Sequence, residues 1–292
     1  MNELFYIIKK YLPRVFYPLY IEYSYLKIVN RWCNLNNPKT YTEKMQWGKL
    51  NRKDSLLGKL SDKIAVRSWV EERIGSEYLI PIIGHPFCSV DEIDFDELPN
   101  KYVIKANHGS GFNYVVNNKD EIDVGIVKKK VALWLKHNYA FYSMELHYKD
   151  IMPRLYIEQN IIEEGMSDLP DYKFFCFNGK VFCSYTMTNY TFDHSKGKLG
   201  FFDRDYKLLP YYRKDYQPIK EQLEKPKNYE KMVEIAETLS SGFSHVRVDL
   251  YNINGKIYFG EMTFTTNSGY IDFEPEEFDR ILGDQWDIYS GI

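Results

Sequence analysis

The segment Ser244–Gly269, SHVRVDLYNINGKIYFGEMTFTTNSG, restricts the possible folds more than any other part of the chain. Its alternation predicts two strands. On the first, His245, Arg247, Asp249 and Tyr251 share one face, while Val246, Val248 and Leu250 share the other. Asn254-Gly255 marks the turn between the strands. An arginine and two acids, Asp249 and Glu261, then stand on rigid elements, an arrangement that suits a polyphosphate with its magnesium. An ordinary amphipathic hairpin with a solvated polar face would show the same pattern.

Register decides whether the two acids meet. A two-residue Asn-Gly loop would put Glu261 opposite Val248, on the wrong face from Asp249. A three-residue loop, Ile253-Asn254-Gly255, with glycine in the left-handed position of a bulge brings Glu261 opposite Arg247. Asp249 is then diagonally across on the same face. The bulged loop is the expectation.

The 292 residues suffice for a substantial core and two or three subdomains. A net charge of −3 argues against a general nucleic-acid binder. Cys33, Cys88, Cys176 and Cys183 form no C-x-x-C pair, which points to a reducing compartment and a cytoplasmic location. No apolar run approaches the ~20 residues of a membrane span. The opening MNELFYIIKKYLPRVFYPLYIEY is a poor signal peptide. Being aromatic and amphipathic, it suits packing on the protein itself, with peripheral contact at the inner face of a membrane as the other reading. Tyrosine is abundant, at 26, but serves carbohydrate sites and ordinary half-buried positions alike.

The pattern divides into a helical region over 1–78, a first α+β lobe over 79–160 and a second over 161–292. In SDKIAVRSWVEERIG a helix is expected from a cap at Asp62 or Ser61 to a stop at Gly75. Lys63 then falls in the first turn, where the helix dipole disfavours a cation unless an anion binds there. Taken by itself, Lys63 reads better as a solvated lysine with no role. Strands are expected at 101–107, 112–116, 155–162, 172–177, 180–188 and 199–202, with helices at 124–138 and 228–240. The polar stretch 189–198 reads as a mobile loop whose Lys196 and Lys198 either meet an anion or form a solvated face.

Lys105 ends an apolar strand directly before His108-Gly109-Ser110-Gly111. Such a loop can close over phosphates, because glycine lets backbone N–H groups approach closely. It is neither a P-loop nor a dinucleotide fingerprint, and a structural turn explains it as well. Glu158-Gln159-Asn160-Ile161 lies where the lobes join, and its backbone could pair with an adenine edge in an inter-lobe cleft.

Taken in order, NPKTYTEKMQW, SDKIAVR, YVIKANHGSG, DYKFFCFNGKV and VRVDLY…IYFGEMTF…SG resemble the ATP-grasp superfamily, and within it the TupA-like branch associated with teichuronopeptide and other surface-polysaccharide synthesis. The resemblance spans roughly Pro38 to Gly269. It implies an α+β ATP-grasp fold, two mixed lobes clasping a nucleotide behind a helical N-terminal region. It implies ATP and magnesium. It assigns Lys63 and Lys105 as the nucleotide lysines, Gly109, Ser110 and Gly111 as the closing loop, and Glu158, Gln159, Asn160 and Ile161 as the adenine linker. Lys173 lies near that pocket, Arg247 beside the transferred phosphate, and Asp249 and Glu261 are magnesium ligands. Many superfamily members carry E-x-N; here Thr263 stands in place of that asparagine, with its hydroxyl as the replacement ligand or Asn267 as a substitute.

The implied chemistry joins a carboxylate to an amine through an acylphosphate, with a small amine or amino acid and a carboxylate-bearing sugar or glycan as partners. His108 and His245 are expected to be structural. A kinase on the same scaffold is one alternative. A glycosyltransferase is another, for which Asp203-Arg204-Asp205 supplies a D-x-D triplet unless it is simply a turn.

Overall fold

The computed structural model describes residues 3–166, 168–189 and 196–290. Helices α1 (Glu3–Tyr11), α2 (Tyr17–Val29), α3 (Tyr41–Asn51), α4 (Ser55–Ser61) and α5 (Val66–Ile74) come first. Next are β1 (Ile82–Phe87), β2 (Tyr102–Ala106), β3 (Asn113–Val116), α6 (Val124–Trp134), α7 (Ala140–Ser143) and β4 (Leu155–Gln159). Last are β5 (Asp171–Phe177), β6 (Lys180–Thr188), β7 (Lys198–Asp203), β8 (Tyr212–Arg213), β9 (Gln217–Pro218), α8 (Tyr229–Ser240), β10 (His245–Ile253), β11 (Lys256–Thr263), β12 (Phe273–Glu274) and α9 (Glu277–Gln285). The class is α+β.

Two sheets carry the architecture. A four-stranded sheet has the order β1-β4-β2-β3, and a six-stranded sheet has the order β11-β10-β5-β6-β7-β9. The small sheet packs Ile104, Leu155 and Ile157 against Val127 and Val131 of α6. The large sheet separates two cores. On one face Phe174, Cys176, Val246, Val248 and Leu250 meet Met232, Ala236 and Leu239 of α8. On the other, Phe175, Phe177 and Tyr185 meet Tyr41 and Met45 of α3 and Phe278 and Leu282 of α9. The alternation along β10 therefore has two buried destinations. That is why His245, on its polar face, is as enclosed as Val246.

The hairpin of β10 and β11 corrects the expected register. The loop has two residues, Asn254 and Gly255, with Ile253 paired to Lys256. Both loop residues have positive φ, 55° and 97°, which Asn-Gly tolerates and which matches the twist of the strands. The extra residue sits further along, at Gly260, where the register shifts between Asp249 and Leu250. A Cβ at Gly260 would lie 3.1 Å from the carbonyl oxygen of Asp249. Glu261 consequently opposes Asp249, and Thr263 opposes Arg247. The acids share a face, through a bulge within the strand rather than in the loop.

Two helices are shorter than expected. The Asp62 carboxylate accepts from the amides of Ile64 (2.8 Å) and Ala65 (3.2 Å), so the chain turns there and α5 starts only at Val66. Lys63 belongs to that capping turn, not to the first helical turn, and its amide donates to the carbonyl of Asn107. Helix α6 stops at Trp134, whose carbonyl receives the buried His108 ring at 3.0 Å. Most of the 189–198 loop, residues 190–195, lies outside the described residues.

Helices α1 and α2 bury Tyr6, Tyr17, Ile21, Tyr25 and Val29 against the body. Their outer faces leave Ile8, Tyr11, Leu19 and Tyr23 exposed. No helix among the described residues is long and apolar enough to cross a membrane.

Helix α9 reaches α3 through a close approach at Gly283. A Cβ there would lie 2.2 Å from the carbonyl oxygen of Lys39 and 2.8 Å from the amide nitrogen of Tyr41. Gly283→Ala should therefore destabilise the fold by about 1–3 kcal/mol, the usual cost of overpacking. Urea unfolding of the variant would check this, and an unchanged midpoint would contradict it.

Candidate functional site

Three cations and three carboxylates meet on one face of the large sheet. Arg247 sits on β10 and donates from Nε (2.6 Å) and Nη2 (2.7 Å) to the two oxygens of Asp249. Nη2 also reaches Glu261 at 3.1 Å and the Thr263 hydroxyl at 3.0 Å. Lys173, directly opposite Asp249 on β5, donates to it at 2.5 Å and pairs with Asp171 at 2.5 Å. Lys63 completes the group. Its ammonium donates to the Gly109 carbonyl at 2.7 Å and stands 3.3 Å from Glu261. Thr263 donates to Glu261 at 2.9 Å.

The electrostatics follow from burial against pairing. Burial alone would raise the Glu261 carboxyl, but Lys63, Lys173 and Arg247 reverse this and hold it well below the usual carboxylate range. Burial would lower Lys173 and Arg247. Asp171 and Asp249 lift the first, Asp249 and Tyr185 the second, and both stay firmly cationic. At the edge of the cluster burial pushes the Asp171 carboxyl up, against the pull of Lys173.

A second charged group stands on the small sheet. Lys105, on β2, donates to Glu158 at 2.5 Å, and Arg67 of α5 approaches the other Glu158 oxygen at 3.6 Å. Burial pushes the Tyr156 hydroxyl up, and the charges of both Glu158 and Glu261 add to that shift. Lys63 ties the two groups together, because it holds the glycine loop that follows β2 to an acid on β11.

That loop is shaped by its glycines. Gly109 has φ 92°, and a Cβ there would lie 2.3 Å from the Tyr139 ring. Ser110 and Gly111 stand at the exposed tip.

The linker differs from expectation. Glu158 and Gln159 are inside β4, paired with Val103 and Tyr102, and the Gln159 amide donates to the Pro81 carbonyl. Their backbones are therefore committed to the sheet. The chain leaves it only at Asn160 and Ile161. The Asn160 side chain ties the exit to Val116 and Asn117, and Ile161 packs beside Ile80 and Tyr258.

Sequence reasoning missed Arg67, Asp171 and Tyr139. Arg67 falls near the start of α5, shortly after Lys63, and Asp171 two residues before Lys173 on the same strand face; both were readable in the sequence. Tyr139 had no local signal. Asn267, the substitute considered for the missing asparagine, turns instead to the Tyr270 carbonyl at 2.7 Å. The D-x-D triplet is a turn: the Asp203 carboxylate accepts from the amides of Asp205 (2.9 Å) and Lys207 (2.8 Å).

Neither histidine offers a general base. His108 Nε2 donates to the Trp134 and His137 carbonyls. His245 Nδ1 donates to the Cys176 carbonyl, and its Nε2 meets the Tyr41 hydroxyl at 2.9 Å. Burial pushes His245 down to about 3, so it stays neutral in the fold while the unfolded chain protonates near 6.5. Protons then favour unfolding throughout the interval from 6.5 down to about 3, and stability falls as pH drops. Between pH 7 and 5 this histidine alone accounts for about 2 kcal/mol. Urea unfolding at both pH values should show His245→Gln losing less stability than the parent by about that amount. Equal losses would contradict the assignment.

No curated protein sequence matches the chain significantly. Among solved structures, D-alanine–D-alanine ligase from Bacillus anthracis complexed with ATP aligns at TM-score 0.39 and 15% identity, covering 71% of this chain and 54% of that one. An L-amino acid ligase from Bacillus licheniformis aligns at 0.43 and 14%, covering 81% and 46%. Cdc123 from Schizosaccharomyces pombe aligns at 0.37 and 11%, covering 72% and 86%. The chain thus spans about half the length of the two ligases. The assignment rests instead on sequence: the family model described as TupA-like ATP-grasp matches residues 43–287, and the chain belongs to that family.

Proposed function

We propose that the protein is an ATP- and magnesium-dependent carboxylate–amine ligase working through an acylphosphate, in the synthesis of a surface polysaccharide such as a capsule, an O-antigen or teichuronopeptide. One observation carries the reading: Lys63, Lys173 and Arg247 converge on Asp249 and Glu261 at the edge of the glycine loop. On this reading residues 79–160 and 161–292 act as the two lobes around the nucleotide, with 1–78 as the support.

The donor set fits magnesium. Asp249 and Glu261 face each other across the bulged hairpin, and the Thr263 hydroxyl stands beside Glu261. All three are hard oxygen donors. Among the described residues no group of three or more His, Cys, Asp or Glu is arranged to hold a metal. Phosphate oxygens and water would supply the other positions, as is usual for this ion. When bound, it would neutralise phosphate charge and draw the phosphate oxygens into line.

The chain's own residues position and neutralise. Arg247 and Lys173 hold the Asp249 oxygens, so an arriving triphosphate would draw both cations onto its own oxygens and release the carboxylate. Lys105 would turn from Glu158 to the α- and β-phosphates, and Gly109, Ser110 and Gly111 would close over them. The adenine edge would meet the chain at Asn160 and Ile161. A substrate carboxylate oxygen attacks the γ-phosphorus, and the bond to the bridging oxygen breaks with its electron pair on ADP. The amine then attacks the acyl carbon, phosphate departs with the carbon–oxygen pair, and the amine proton passes to solvent. An amine arriving unprotonated needs no base, consistent with the engaged histidines.

Thermal shift with Mg·ATP is the first test. A gain of about 2.7 kcal/mol is expected at 100 times the dissociation constant, and Asp249→Asn and Glu261→Gln should abolish it. Arg247→Lys should lower turnover by about 10²–10³. Release of ADP and phosphate only when both a carboxylate and an amine are present separates a ligase from a kinase. Release of ADP with a stable phosphorylated product would sink the ligase.

A peripheral membrane contact belongs to the same proposal, because Ile8, Tyr11 and Leu19 are exposed beside Lys9, Lys10 and Arg14. Cosedimentation with anionic vesicles should be lost in Ile8→Glu/Leu19→Glu. Retention of binding in that variant would remove the N-terminal helices from the contact.

A further inference from the structure

A third group of basic nitrogens lies apart from the two charged groups above, and among the described residues no carboxylate bonds directly to it. Helix α3 carries Lys49 in its last turn and is capped by Arg52, while His147 approaches from the turn after α7. The Lys49 ammonium is buried, with the residue 3% exposed, and rests over the Tyr270 ring at 4.5 Å. Arg52 lies over the Phe264 and Trp286 rings, 5.7 Å from each. Lys49 Nζ, Arg52 Nη2 and His147 Nε2 are all buried without a hydrogen-bond partner among the described residues. Glu145, the carboxylate whose charge reaches Lys49, is instead engaged by the Thr265 and Ser268 hydroxyls.

Two cationic side chains and an imidazole in one buried place lose hydration, and the two cations oppose each other. Burial, then each other's charge, pushes His147 down to about 3, and burial holds Lys49 at about 7. Packing alone would be better served by apolar side chains of the same size. An anion between the three would relieve both penalties.

The surrounding shape fits such a guest. The three side chains line an inner cavity of about 10 Å³, room for one water-sized atom such as a single anion oxygen, and also a groove of about 970 Å³ that opens beyond it. The groove is large enough for a sugar-sized or larger molecule. Arg14, Lys53, Lys59 and Lys149 add to its positive lining, against three aspartates. It also adjoins the charged cluster of the large sheet. Asp62 lines the groove, and the next residue is Lys63. Phe264 and Thr265 line the inner cavity one and two residues past Thr263, about 7 Å of extended chain.

We propose that Lys49, Arg52 and His147 form an oxyanion-binding site that anchors a carboxylate or phosphate of the acidic substrate, separate from the carboxylate that reacts, with the substrate's body in the groove. The proposal rests on the ligase reading for the substrate's role. The site itself rests on the three unpaired donors.

The test uses the full chain and two probes, glucuronate and inorganic phosphate, with Mg·ATP alone as a control. Thermal shift and titration calorimetry are read on the parent, on Lys49→Met and on Arg52→Gln. At least one probe should stabilise the parent, and which one does so identifies the anchored group as carboxylate or phosphate. Lys49→Met should be more heat-stable without ligand, since it removes an unpaired buried charge. Both variants should bind the probe more weakly by about tenfold or more while keeping the Mg·ATP shift. If neither probe stabilises the parent, or both variants bind it as the parent does, the site is overturned. A parent that answers the probe but not Mg·ATP keeps the anion site and removes the ligase reading.

Discussion

The constraint on which the site depends is the placement of Asp249 against Glu261 by one extra residue in β11. Without the Gly260 bulge, pairing from the Asn254-Gly255 turn would carry Glu261 to the α8 face of the sheet, among Val246, Val248 and Leu250. Strand pairing allows no intermediate: a one-residue slip exchanges faces entirely. With the bulge, Asp249 meets Arg247 and Lys173 while Glu261 meets Arg247 and Lys63, so both acids of the cluster find opposite charges. Asp249 is only 2% exposed, so an unpaired carboxylate there would be strongly unfavourable. Register and charge pairing therefore enforce each other.

The remainder of the architecture brings distant cations to that place. Asp62 breaks the chain between α4 and α5, and the turn it caps sets Lys63 against both the glycine loop and Glu261. Just after that turn, in α5, Arg67 reaches Glu158 on the other sheet. A single short segment thus spans both sheets with two long basic side chains. Such cations can change partners without moving the backbone, which is what binding a polyanion requires.

The N-terminal helices act as more than an attachment. Tyr41 of α3 reaches His245 at the base of β10, and Thr42 bonds the buried Asp279 of α9, which Arg31 also engages at 2.6 Å. Helix α3 is thereby clamped between the large sheet and α9, with its last turn beside the end of β11. The same clamp holds Lys49 and Arg52 where, among the described residues, no carboxylate bonds to the Lys49 ammonium or the Arg52 Nη2. A rigid support here serves positioning, since a site built from fixed charge depends on geometry.

The sequence by itself determined the alternation of β10, the Asn-Gly turn, the face shared by Arg247 and Asp249, and family membership through strings such as SDKIAVR and YVIKANHGSG. These are local patterns, and short-range sterics and two-residue periodicity suffice for them. Only the tertiary structure decided the Gly260 bulge, the break at Asp62, the commitment of Glu158 and Gln159 to β4, and the unpaired trio of Lys49, Arg52 and His147. Each of these depends on which backbone amides, carboxylates or rings arrive from segments far along the chain. A glycine within a strand permits a bulge without demanding one, and a lysine in a helix shows nothing of whether a counter-charge will meet it.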